Sequence, residues 1–274
     1  MTASPMATPL PWDLVSAAYN QEVVPLFEQF ARDALRLGAA PAGSRVVDVA
    51  CGPGTLAFLA AAAGHRVDAL DFSPEMLSYL DARREREGID RITAQHGDGQ
   101  ALPYDDATFG AGFSMFGLMF FPDRAAGFRE LRRVLVPGAR AVVSSWPRIE
   151  DNPIFSAMFA AIRTALSSVV PPGAAQPSAA EMPLSTEALC VAEMSAAFAD
   201  VQVHRIVHVQ RADSADALWA NLKRTMAPIV LMQRNLGDKF APVDAAASAA
   251  IRTATGPGNV EVQLPAWLTV GVAA

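Results

Sequence analysis

Three carboxylates and two glycines stand where they could share one ligand. Asp48 sits inside the apolar, β-branched run of Val46, Val47 and Val49, which reads as a buried strand. Gly52 and Gly54 follow at once, where the backbone must turn without side chains in the way. Thr55 to Ala63 is apolar and alanine-rich and reads as a helix leaving that turn. Strand, glycine turn and helix bring a ligand onto bare backbone at a helix N-terminus. A second acid, Asp71, closes the next apolar stretch about twenty residues on, the separation of an acid that reaches a ribose. A third, Asp98, precedes Gly99 after another candidate strand. Gly52-Pro-Gly54-Thr-Leu-Ala57 also fits the dinucleotide fingerprint. A carboxylate at Asp48, however, repels a pyrophosphate and attracts a cation. The three acids describe a ligand with an amine, a ribose and an amino-bearing base.

Four stretches carry a family resemblance. Asp48-Val-Ala-Cys-Gly-Pro-Gly54, Asp71-Phe-Ser-Pro-Glu-Met76, Gly97-Asp98-Gly-Gln-Ala-Leu-Pro103 with Phe109, and Arg129 through Gly138 occur in order and in register. Together they resemble the class I S-adenosylmethionine-dependent methyltransferases. They are most similar to the branch of the ubiquinone and menaquinone C-methyltransferases and small-molecule methylases. Two positions depart from that pattern: Gly110, where an acid is usual, and Ala139, where a further glycine is common.

The resemblance implies S-adenosylmethionine as cofactor and S-adenosylhomocysteine as product. It implies Asp48 at the methionine ammonium, with Ala50, Cys51, Gly52 and Gly54 forming the turn around the methionine moiety. Asp71 would hold the ribose hydroxyls, and Phe72 and Met76 would flank the adenine. Asp98 would accept from the adenine amino group, with Gly99 or Gln100 giving a backbone donor. Ser114 and Met115 would face the methionine end. For the acceptor, Tyr19, Phe116, Met119 and Trp146 are the expected wall, joined by Leu118, Phe120, Phe121, Met226 and Met232, which suits a small apolar or aromatic molecule. Methyl transfer from a sulfonium needs alignment and dryness more than a base. No base is legible. His204 and His208 share a strand face, His65 sits in a surface-type turn, and His96 lies near Asp98. Neither the histidines nor the cysteines have metal-site spacing.

The positioning elements alternate strand and helix, which predicts an α/β fold. The expected form is a Rossmann-like, seven-stranded, mostly parallel sheet with helices on both faces. Residues 1–40 form an N-terminal helical cap, 41–146 the cofactor-binding core, 147–211 its completion, 212–259 a helical lid insertion and 260–274 the final strand. Within these, residues 1–11 are expected to be loose, and Trp12 to Leu37 a helix pair broken near Pro25. The fifth strand is expected over Arg140 to Trp146, a proline-rich loop over 171–183, and a helix from Ser185 with that serine as cap. Breaks in the insertion fall at Pro228, Gly237 and Pro242.

Composition narrows the classes. The 274 residues are 51% hydrophobic, which supports a large core and argues against global disorder. A net charge of −6 without a basic face argues against a nucleic-acid partner. Two cysteines are too few for a disulfide scaffold, no signal layout opens the chain, and the most apolar run, Ala111 to Pro122, is too short to span a bilayer. The expectation is a cytoplasmic protein acting on a small molecule, with 212–259 serving either as the lid or as a homodimer contact. Two other readings stay open: an NAD(P)-dependent oxidoreductase and a non-catalytic cofactor-binding module.

Overall fold

The computed structural model describes residues 4–169 and 182–274. Most of the loop expected over 171–183 lies outside the described residues. The chain opens with a 3-10 turn, Pro5–Ala7, then α1 (Leu10–Ala18), a π-helical turn (Tyr19–Val23) and α2 (Val24–Gly38). The core alternates β1 (Arg45–Val49), α3 (Thr55–Ala62), β2 (Arg66–Asp71), α4 (Pro74–Glu87), β3 (Ile92–His96), β4 (Phe109–Ser114), α5 (Arg124–Arg133) and β5 (Leu135–Ser145). There follow α6 (Pro153–Val169), α7 (Glu187–Met194), β6 (Ala199–Ala212), α8 (Ala215–Thr225), α9 (Ala227–Leu236), α10 (Ala241–Thr255) and β7 (Val260–Val272).

The seven strands form one sheet in the order β3-β2-β1-β4-β5-β7-β6. The first five are parallel, and β7 runs antiparallel between β5 and β6. Strand order reverses direction between β1 and β4, and such a switch point opens a crevice at the C-terminal ends of the strands. Asp48 and Ser114 lie at those ends. Both faces are covered. One core gathers α2, α3, α6 and the insertion around Phe30, Phe113 and Trp219, and the other gathers α5 and α7 around Phe109, Phe128 and Met194.

Several local readings are corrected. Residues 4–11 are not loose: Met6 is buried with Val15 and Met76, and its carbonyl accepts from the Trp12 indole at 3.0 Å. The N-terminal pair breaks at the π-helical turn, while Pro25 occupies the first turn of α2, where its missing N–H costs nothing. β5 starts at Leu135 and passes through Gly138 (φ +81°), with a register shift against β4 between Phe109 and Ala111. That irregularity hides the strand's first turn from period-2 reading. Thr186, not Ser185, caps α7, its hydroxyl accepting from the Leu189 N–H at 3.2 Å.

The insertion springs from the far end of the β6–β7 ladder, where Ala212 pairs with Val260. Pro228 and Pro242 sit in the first turns of α9 and α10. α10 packs on α6, and α8 and α9 pack on α1. Glu22 of the π-helical turn ties the two parts together, accepting from Arg224 at 2.9 Å and Asn221 at 2.5 Å. Those bonds hold its carboxyl below the ordinary glutamate value.

Candidate functional site

Asp48 lies on β1 beside Ala69 of β2 and Phe113 of β4. It is 1% exposed, and among the described residues neither carboxylate oxygen has a hydrogen-bond partner. Burial and the nearby Asp71 raise its pKa to about 7, against a weaker opposing effect of the Ala57 backbone. An unpaired buried carboxylate is costly, so it marks a place built for something cationic. The chain then turns through Ala50 (φ +58°), Gly52 (φ +56°) and Gly54 (φ +88°) into α3. A left-handed Ala50 is unusual and localises strain to the turn. Cys51 is buried there, and burial with Asp71 and Asp48 pushes its thiol well up, which leaves it inert.

Asp71, at the tip of β2, is 5% exposed, and each of its oxygens accepts one hydrogen bond. One oxygen accepts from the Gly52 N–H and the other from the Ser73 N–H, each at 2.8 Å. Burial outweighs these bonds and raises its pKa to about 6. It therefore staples the β1–α3 turn to the start of α4. Ser73 caps α4 through the Met76 N–H at 3.1 Å and donates its own proton to Asp13 of α1 at 2.5 Å. Phe72 is half-buried, and its carbonyl lies 3.2 Å from His96 Nε2.

A cavity of about 40 Å³ lies at the switch point. Asp48, Ala50, Cys51 and Gly52 line it from β1 and its turn, Met115 and Phe116 from the end of β4, and Tyr19 and Phe27 from the N-terminal helices. Tyr19 is half-buried, and burial with Asp71 pushes its hydroxyl above the ordinary phenol value, so it stays a neutral donor. A wider hollow of about 460 Å³ lies at the opposite end of β1 to β3. Its Arg45 is neutralised by Asp68 at 2.7 Å, and ligands of such sheets bind at the other end.

The loop after β4 is held tightly. Ser114 is fully buried and its hydroxyl accepts from the Leu118 N–H at 3.1 Å. Phe116 adopts φ +56°, a conformation that costs a bulky residue roughly 1–3 kcal/mol. Its N–H donates to Ser144 Oγ at 2.8 Å, and its ring stacks on Trp146 at 4.0 Å and 13°. Phe27 and Phe30 pack on the same ring at 4.9 and 5.4 Å. Gly117 is pressed on the first turn, where an added Cβ would overlap that of Ala50.

The other expected residues lie away from the cavity. Met76 is buried under α1 and α9 with Met6, Val15 and Ala227. Asp98 is exposed and accepts from the Gln100 N–H at 2.9 Å and its side-chain amide at 3.0 Å, while Gln100 Oε1 accepts from the Asp123 N–H at 2.8 Å. Met119 and Leu118 are core residues on the sheet's other face, with Phe120 and Phe121 packed against that core. Met226 and Met232 pack into the core under the insertion. His65 is buried, 3.4 Å from Ser44, rather than at the surface, and His208 pairs with Asp33 at 2.9 Å. No histidine lines the cavity. Gly99 has a packing reason to be glycine: a Cβ would fall 2.5 Å from the Phe121 ring and 2.7 Å from Val49. Gly99→Ala is expected to cost about 1–3 kcal/mol, because Val49 cannot swing aside as the ring can. A urea midpoint unchanged from the wild type would contradict that.

Nothing in the local sequence marks Ser144, and Phe27 there is consistent with packing alone. The position of Phe27 over the cavity depends on how α2 lies across the sheet, and no local spacing encodes that.

Comparison with known proteins agrees with this geometry. The family model of a methyltransferase domain matches residues 46–138. An uncharacterized protein of Mycobacterium tuberculosis is 32% identical over 201 residues, covering 72% of this chain and 69% of its own. A demethylmenaquinone methyltransferase of Clavibacter sepedonicus is 40% identical over 136 residues, covering 48% of this chain, which spans 55% of that enzyme's length. Among solved structures, phosphoethanolamine N-methyltransferase 2 of Haemonchus contortus, in complex with phosphomonomethylethanolamine and S-adenosylhomocysteine, shares the fold. Its TM-score is 0.58 at 15% identity, over 95% of this chain and 57% of that one. With the glycine turn, the strand-tip acids and the sheet order in place, the chain belongs to the S-adenosylmethionine-dependent methyltransferases.

Proposed function

We propose that the protein transfers a methyl group from S-adenosylmethionine to an oxygen, nitrogen or carbon atom of a small, apolar or aromatic metabolite. The observation that carries this reading is Asp48, a buried carboxylate with both oxygens unpaired on the wall of the switch-point cavity. An ammonium group there would satisfy it, and a pyrophosphate would not. Asp71 keeps free lone pairs on both oxygens for ribose hydroxyls, since each accepts only one backbone bond. Asp98 and Gln100 are assigned to the adenine edge. The sulfonium donor supplies the reactive methyl. The chain's part is to orient it, to exclude water with Tyr19, Phe27 and Phe116, and to present the acceptor in line.

The quinone methyltransferases among the relatives support a planar aromatic acceptor, as does the Phe27–Phe116–Trp146 cluster. The insertion over 212–259 is assigned as a lid, supported by its packing on α1 and its grip on Glu22. Two free, buried cysteines support work in the reducing cytoplasm, and no described helix is long and apolar enough to cross a membrane.

Calorimetry with S-adenosylhomocysteine and, separately, with NAD tests the donor. Micromolar binding of the first and none of the second is expected, and the reverse would return the protein to the oxidoreductases. Transfer of labelled methyl from S-adenosylmethionine to a panel of reduced naphthoquinones, phenols and amines tests the acceptor. Tight donor binding with no transfer to any of the panel would favour a non-catalytic role.

A further inference from the structure

We propose that Ser144 is a positioning residue for methyl transfer, holding Phe116 in its left-handed conformation so that the Phe116–Trp146 stack forms the fixed acceptor wall beside the donor. This rests on the methyl-transfer reading above. Ser144 is fully buried on β5 and is not part of the cavity wall. Its hydroxyl accepts the Phe116 N–H at 2.8 Å. Phe116 is the residue after Met115 at the mouth of β4 and lines the cavity itself. Trp146, two residues beyond Ser144 and just past the end of β5, supplies the face on which that ring lies. One strand end thus fixes both the backbone and the ring of a strained residue. A phenylalanine at φ +56° has no intrinsic reason to remain there. Without the hydroxyl its N–H is buried and unpaired, and the backbone relaxes to the extended region, carrying the ring off Trp146. Asp48 and Gly52 stand on β1 and its turn, outside the segment that Ser144 holds. Ser144 therefore acts on acceptor alignment and not on donor affinity.

The test uses protein labelled with 5-fluorotryptophan, which gives four fluorine resonances from Trp12, Trp146, Trp219 and Trp267, with Trp146→Phe assigning its own. Ser144→Ala is expected to move the Trp146 resonance alone, and Ser144→Thr to restore it. In a Phe116→Ala background, Ser144→Ala should add no further shift. S-adenosylhomocysteine affinity should stay within twofold of the wild type in Ser144→Ala. KM for a panel acceptor should rise at least fivefold. An unmoved Trp146 resonance, an additive double variant, or donor affinity weakened more than fivefold would overturn the proposal. Should Ser144→Ala not fold, Ser144→Cys, which keeps a weaker sulfur acceptor, must show a smaller shift of the same resonance. Failure of the unaltered protein to bind S-adenosylhomocysteine would instead remove the donor reading, while the fluorine spectrum still reports whether Ser144 sets the stack.

Discussion

Asp48→Asn is expected to make the ligand-free protein more stable and the same protein a far poorer binder of S-adenosylhomocysteine. Raising the Asp48 pKa from 3.8 to about 7 means that its charge opposes folding by about 4 kcal/mol above pH 7. An asparagine removes the charge but leaves a buried amide without partners, which costs about 1–3 kcal/mol. The balance is a gain of roughly 1–3 kcal/mol, a rise in Tm of about 2–8 °C at pH 8. The sign follows from linkage. An acid whose folded pKa is raised carries no penalty below its unfolded value, and its contribution to stability is lost as pH rises through the folded one. Wild-type stability should therefore fall between about pH 4 and pH 7, and the variant should lose much of that slope. Affinity moves the other way. Removing the charge proposed to face the donor's ammonium is expected to cost about 2 kcal/mol or more, thirtyfold or more in Kd. Thermal melts across pH and calorimetry at pH 8 measure both. A variant that melts lower, or binds as the wild type does, would remove Asp48 from the role given to it.

Asp71→Ala should show the contrast. Its charge is also disfavoured by burial, by about 3 kcal/mol for a pKa raised from 3.8 to about 6. Unlike Asp48, it accepts from the Gly52 and Ser73 N–H groups, and leaving two buried donors unpaired costs about 1–3 kcal/mol each. Gain and loss are of one size, so Tm at pH 8 should move by only a few degrees. Affinity for S-adenosylhomocysteine should fall by about 1.5–3 kcal/mol from the lost ribose bonds, and further because the two turns it joins are released. Asp71→Asn, which keeps one acceptor oxygen, should lie between. Equal affinity in a folded Asp71→Ala protein would leave the ribose without its acid. Two acids of the same type, on neighbouring strands beside one turn, are thus separated by a single count: hydrogen bonds already made.

The motifs made the donor side of the sheet legible because they are local. Val46 to Gly54 encodes a strand, a turn and a helix within one stretch, and Ser73-Pro74 and Gly88 mark both ends of α4. β2 and β7 fall where alternation and run length put them. The misplaced features are those set by distant partners. β5 hides its first residues behind Gly138, because their pairing with Phe109 follows a register shift. Met119 looked like pocket lining because a Met and aromatic stripe is equally a core, and the sheet face it meets is decided by the turn at Phe116. The engagement of Asp71 with Gly52 joins two loops nineteen positions apart, and no spacing rule gives its geometry. Asp13 was invisible for the same reason: a single acid in the first turn of α1 gains meaning only through Ser73.

A cavity of about 40 Å³ is far below the several hundred that enclose a ligand of nucleoside size. Tyr19, which opens the π-helical turn, and Phe27, which follows it in α2, help to close it, while Asp13 and Glu22 moor the same stretch to α4 and to α8. Capture of the donor at this place is expected to be gated. Its uptake, followed by stopped flow, should reach a ceiling that more donor cannot raise, because the moorings must slip first.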